Sequence, residues 1–181
     1  MITYSNICVY CASSSRVDPK YLELARDVGE MIALGGSKLI YGGGHVGLMG
    51  AAADAALGKG GEVIGVMPQC LIEREVAHKN LTELHETLCM QSRQKMMADL
   101  SDAFIVLPGG LGTLAEFFEI ITWKHLGLHD KPVLLVNYDG YWDGMLDMLS
   151  RAGDEHFLYR DCSELFVVCE AIEDVKKHLC L

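Results

Sequence analysis

The chain has 181 residues and a mass of 19.9 kDa, long enough for a single domain with a real core. Half of it is hydrophobic, yet no stretch approaches the roughly 18 unbroken apolar residues of a membrane span, so no membrane partner is expected. A formal charge of −10 disfavours nucleic acid as a partner, and a small anion can bind only where local N–H dipoles and a few cations outweigh the global field.

The first residues carry no basic region ahead of a long apolar run, which argues against a signal peptide. Seven scattered cysteines cannot form a complete disulfide framework, so a reduced, cytoplasmic protein is expected. Cys8 and Cys11 spell a C-x-x-C, but Cys8 falls inside an apolar strand-like run rather than at a helix start, and no second pair completes a metal site.

In chain order, Ile7 to Tyr10 reads as a strand followed by a polar turn through Ser13-Ser14-Ser15. Pro19 opens a helix with Leu24, Val28 and Ile32 on one stripe, ending near Gly35-Gly36. Lys38 to Tyr41 is a second strand, then come Gly42-Gly43-Gly44 and a small-residue helix through Ala51 to Leu57. Val63 to Met67 is a third strand stopped by Pro68, and after a mixed region a helix runs from about Ser92 to Leu100. Phe104 to Leu107 is a fourth strand stopped by Pro108, and a long helix spans Thr113 to His125. Val133 to Val136, a helix near Tyr141 to Leu149, Leu165 to Val168 and a final helix complete the chain.

Near-continuous apolar strands separated by helices imply a doubly wound, Rossmann-like α/β domain spanning residues 1–181, its parallel sheet covered by helices on both faces. Ligands in such folds bind at the carboxyl ends of strands. The loops that matter are therefore 11–18, 42–47, 68–75 and 108–113.

Gly42, Gly44 and Gly47 satisfy G-x-G-x-x-G between a strand and a helix, the dinucleotide fingerprint. Two details count against NAD: the loop follows the second strand, and Glu62 stands at the entry of the next strand rather than at its carboxyl end. Packing plus part of a mononucleotide pocket is the favoured reading, with Gly43 and Gly44 as its candidates beside Ser13 from the first loop.

Pro108-Gly109-Gly110-Leu111-Gly112-Thr113 is a stronger signal. Its glycines let backbone approach a ligand, and unpaired N–H groups at a helix start bind phosphate without a net positive protein. Without a Gly-Lys-Ser/Thr it is no Walker-type loop. The bland alternative is a glycine turn capped by Thr113, with Glu116 closing a capping box. The sharper one has Glu116 facing a bound sugar. Spacing alone leaves these two even. Arg93, taken alone, reads as a helix-surface salt bridge, and Glu75 as a solvated charge.

Together these pieces resemble the LOG (Lonely Guy) family, which frees cytokinin bases from their riboside 5′-monophosphates. The resemblance runs over Cys8-Val9-Tyr10-Cys11-Ala12-Ser13-Ser14, Tyr41-Gly42-Gly43-Gly44 with Gly47-Leu48-Met49-Gly50, Val63 to Pro68, and Ser101 to Phe104. It continues through Pro108 to Glu116, Ile121-Thr122-Trp123 and Leu126 to Pro132. It implies that Arg93 and Glu116 are the catalytic pair. It also implies that Gly109, Gly110, Gly112 and Thr113 hold phosphate and ribose, that Glu75 and Thr122 line the site, and that the protein is a homodimer. The substrate expected is a purine nucleoside 5′-monophosphate, with no metal and no organic cofactor. One departure stands out: the family often has Lys directly after the Arg, and His two places before it, where this chain has Gln94 and Gln91. The label lysine decarboxylase carried by some members finds no support, because no lysine here sits in a recognisable Schiff-base setting. The rival from another class is a non-catalytic nucleotide-binding or carrier module of the same fold.

Overall fold

A computed structural model describes residues 4–72, 77–158 and 160–181. Seven strands, β1 (Asn6–Tyr10), β2 (Lys38–Tyr41), β3 (Val63–Pro68), β4 (Glu83–Thr87), β5 (Ala103–Val106), β6 (Val133–Val136) and β7 (Val167–Cys169), form one sheet. Its order is β4-β3-β2-β1-β5-β6-β7 and every pairing is parallel. The helices are α1 (Pro19–Leu34), α2 (Gly47–Gly58), α3 (Gln69–Ile72), α4 (Met90–Leu100), α5 (Leu111–His125), α6 (Asp143–Asp154), α7 (Cys162–Leu165) and α8 (Ile172–Leu179). The expected doubly wound architecture is the observed one. No helix is long and apolar enough to cross a membrane, among the described residues.

Strand alternation divides the core between the two faces. Ile7, Val9, Leu39 and Tyr41 pack under α1, α2 and α8, with Val28, Ala52 and Val175 in the same cluster. Cys8, Tyr10, Phe104 and Val106 point the other way, against Met97 of α4 and Phe117 and Ile120 of α5. Each large side chain so buried contributes on the order of 1.5–3 kcal/mol. Successive segments wind outward from β1 on one side and from β5 on the other, so the loops after these two neighbours diverge. That divergence opens the crevice in which such sheets bind ligands.

Several elements differ from the expected ones. The mixed region contains β4, whose sequence Glu83-Leu84-His85-Glu86-Thr87 lacks an apolar pattern because it is a partly exposed edge strand. The small-residue helix starts at Gly47, inside the first glycine loop. Ser92 does not begin α4; Cys89 is its N-cap, and the Ser92 hydroxyl accepts from the Cys89 N–H at 3.1 Å. The helix near Tyr141 starts at Asp143, after a 3-10 turn at Tyr138–Gly140. The last strand is shifted to Val167–Cys169, because Asp161 caps α7 by accepting from Ser163 N at 2.8 Å.

Candidate active site

A cleft of about 270 Å³ lies where the chains leaving β1, β2 and β5 separate. Ala12, Ser13 and Ser14 form one wall, Gly42 and Met49 another, Met90 and Arg93 a third, and Gly110, Leu111, Gly112, Thr113 and Glu116 the fourth. All four expected loops therefore contribute to this cleft, Leu71 being the residue from the one after β3. Among the described lining residues the charged ones are Arg93 and Glu116.

These two are in contact across the cleft. Arg93 Nη1 donates to Glu116 Oε1 at 3.1 Å, and both side chains are more than nine-tenths buried. Arg93 Nε also donates to the Val66 carbonyl oxygen at 3.0 Å, tying the guanidinium to the end of β3. A buried ion pair survives only when its members are well hydrogen-bonded, and the surface-bridge reading of Arg93 is thereby corrected: α4 turns this side chain inward. Gly42 makes room for it, since a Cβ there would stand 2.1 Å from Arg93 Nη2. The guanidinium could move aside, but only by giving up its contacts to Glu116 and Val66. Gly42→Ala should therefore cost about 1–3 kcal/mol, lowering the melting temperature by about 2–4 °C per kcal/mol. Gly58→Ala, whose Cβ meets nothing within 4 Å, is the control in the same thermal measurement and should leave stability unchanged or raised.

The two glycine loops serve different ends. At the start of α2 the Ala12 carbonyl accepts from Leu48 N at 3.0 Å and Met49 N at 3.3 Å, and Gly47 N donates to Ser15 Oγ at 3.2 Å. These donors are spent on holding the loop after β1. Gly47 has φ +63, and a Cβ there would lie 2.5 Å from the Ser13 carbonyl carbon, so glycine is required. Glu62 pairs with Lys38 at 2.7 Å at the strand entries, away from the cleft. The position that should hold a dinucleotide ribose thus has no acid.

The second loop is built otherwise. Gly110 is the N-cap of α5 and no side chain caps the helix. The Cβ positions of Gly110 and Gly112 face open space. The positive end of the helix dipole is thus exposed to the cleft, an arrangement that suits an anion. Because α5 begins at Leu111, Thr113 lies inside the helix and the Thr-x-x-Glu capping box does not form. Glu116 is left facing the cleft beside Arg93.

Other candidates lie elsewhere. Gly109 packs on Thr113, just outside the cleft. Gly43 and Gly44 anchor the segment before β4: the Gly43 carbonyl accepts from His78 N at 3.0 Å and Gly44 bridges to Ala77. Thr122 is exposed near the end of α5 and is not brought to the cleft. Glu75 lies outside the described residues. Gln91 is exposed and Gln94 half-buried, and neither lines the cleft. Burial lifts the thiols of Cys8 and Cys11 far above their ordinary range, with the Glu116 carboxylate adding to the shift, the opposite of what redox chemistry needs. Missed by the sequence reading were Met49, Leu71 and Met90; Leu111, inside the Pro108 to Glu116 stretch that carries the resemblance, is 86% exposed at a helix start.

The sheet, its ligand crevice and the uncapped helix define an α/β protein of the Rossmann-like class. The chain belongs to the family of the cytokinin riboside 5′-monophosphate phosphoribohydrolases, the LOG family. A protein of that name from Rhodococcoides fascians is 44% identical over 172 residues, 94% of this chain and 87% of that protein. The Arabidopsis thaliana enzyme cytokinin riboside 5′-monophosphate phosphoribohydrolase LOG4 is 40% identical over 176 residues, 97% of this chain and 82% of its own. A family model described as "Possible lysine decarboxylase" matches residues 49–179. Pyridoxal chemistry does not fit the cleft: no lysine is among its described lining residues, and Lys95, two places from Arg93, is exposed and paired with Asp99. Among solved structures, the molybdenum cofactor binding protein from Rippkaea orientalis superposes with a TM-score of 0.74 at 23% identity, covering 99% of this chain and 98% of that one. That likeness speaks for the fold alone.

Proposed function

We propose that this protein hydrolyses the N-glycosidic bond of purine nucleoside 5′-monophosphates, AMP or its N6-substituted cytokinin forms, to free base and ribose 5-phosphate. The observation that carries the reading is the buried Arg93–Glu116 pair standing beside an uncapped helix start. A 5′-phosphate on the N–H groups of Gly110, Gly112 and Thr113 sets the ribose over Glu116. As the C1′–N bond breaks, its electron pair leaves with the base, which takes up a proton, and positive charge gathers on the ring oxygen and C1′. The carboxylate stabilises that charge and takes the proton of the water that attacks C1′. Arg93 steadies the carboxylate and meets charge on the phosphate or the departing base. The reaction uses no metal and no organic cofactor.

A module that only carries a nucleotide has no use for such an acid, and the names of the relatives support the hydrolytic reading. We further place the protein in the cytoplasm and read it as a homodimer, for which the exposed Leu88 and Leu111 offer apolar surface. Incubation with AMP and with N6-isopentenyl-AMP, followed by chromatography, should yield free base and ribose 5-phosphate. Both nucleotides emerging intact under conditions where they bind would leave the carrier reading in its place.

A further inference from the structure

A side chain that does not line the cleft is bonded to the loop that precedes α5. Tyr141 stands at the end of the 3-10 turn after β6, and its hydroxyl donates to the Gly109 carbonyl oxygen at 2.8 Å. A trans peptide carries its C=O and N–H on opposite sides, and the described chain has no cis bonds. Holding the Gly109 oxygen toward Tyr141 therefore turns the Gly110 N–H away from Tyr141, and Gly110 is part of the cleft wall. Gly109 packs on Thr113, but on the Gly110 side the Cβ position is open and no side chain caps α5, so beyond Gly109 little but Tyr141 holds this peptide's orientation.

Tyr141 is itself firmly placed. Its ring meets Trp142 edge-on at 4.7 Å and Tyr21 at 5.6 Å. The buried Asn137 accepts from Trp142 N through Oδ1 at 2.7 Å and donates through Nδ2 to Asp143 Oδ1 at 2.8 Å, fixing the turn that presents the phenol. An arm rooted in β6 thus reaches across to the loop after β5.

We propose that Tyr141 is a positioning residue for the substrate's phosphate: its hydroxyl locks the Gly109–Gly110 peptide with the Gly110 N–H aimed into the cleft before the ligand arrives. This rests on reading the cleft as the site of a nucleoside 5′-phosphate. Pre-aimed donors spare the bound state the cost of ordering a glycine peptide.

Tyr141→Phe keeps the ring contacts and removes the hydroxyl alone. The KM for AMP and the dissociation constant of ribose 5-phosphate should each rise about three- to tenfold, the cost of ordering one glycine peptide on binding. The kcat/KM for adenosine should stay near the parent value, turnover on AMP at saturation should fall by less than KM rises, and the melting temperature should drop by only about 1–6 °C, as for one lost hydrogen bond. In an NMR titration with inorganic phosphate, the Gly110 amide signal should move at correspondingly higher concentration in the variant. A parent-like KM for AMP in the variant, or an equal loss toward AMP and adenosine, overturns the clamp and leaves the proposed reaction standing. A parent protein that does not prefer AMP to adenosine overturns the reading of the cleft and the clamp with it.

Discussion

Glu116→Gln is expected to slow base release from AMP by about 10²–10⁴-fold, with a much smaller change in KM. The amide matches the carboxylate in size and can still accept from Arg93, so α5 and the cleft keep their shape. What it lacks is the negative charge that answers the cation developing at C1′, and the basicity to take a proton from water. The exchange also has a structural cost that spacing alone did not suggest. Arg93 is 7% exposed and pairs with Glu116 at 3.1 Å, so the variant keeps a buried guanidinium whose counter-charge is gone. A loss of about 1–3 kcal/mol follows, and rates belong well below the lowered melting temperature. Pairing the change with Arg93→Gln should recover part of that stability, a non-additivity of about 0.5–3 kcal/mol in a double-mutant cycle. A Glu116→Gln protein retaining more than a tenth of the parent turnover would leave the carboxylate a purely structural partner of Arg93.

Removing the phosphate from the substrate should be nearly as damaging. The seat at Gly110, Gly112 and Thr113 offers backbone N–H groups and a helix dipole to a dianion. Two such charge-assisted hydrogen bonds, each worth about 1.5–3 kcal/mol, translate into a preference on the order of 10²–10⁴-fold in kcat/KM for AMP over adenosine. Part of it belongs in kcat, because anchoring the far end of the ribose is what holds C1′ against the acid. Parallel initial-rate measurements on the two compounds decide the matter. Equal efficiencies would strip the loop of its role.

Sequence patterns that reflect burial on both faces were readable without coordinates. The apolar runs at Lys38–Tyr41 and Val133–Val136 became strands with those bounds, since a parallel strand covered on both sides has no polar face to confuse its signal. β4 was not readable, because an edge strand keeps Glu83 and Glu86 in solvent and shows neither an apolar run nor a clean alternation. The site was half legible. The second glycine loop announced itself through composition, but whether Glu116 capped α5 or faced a ligand depended on where the helix begins, two residues before Thr113. Arg93 looked like a surface charge because nothing local records that Gly42, 51 positions earlier, leaves a hole of the right size for its guanidinium. Thr122, by contrast, came from resemblance alone, and its place on the exposed end of α5 gives it no contact with the cleft.

The carbonyl of Ala12, lodged against the first turn of α2, also governs how many anions one chain can take up. A reader of motifs would count two glycine-rich helix starts and foresee two equivalents. One of them is already occupied by the protein's own backbone, so calorimetric titration with ribose 5-phosphate should saturate at a single equivalent per polypeptide.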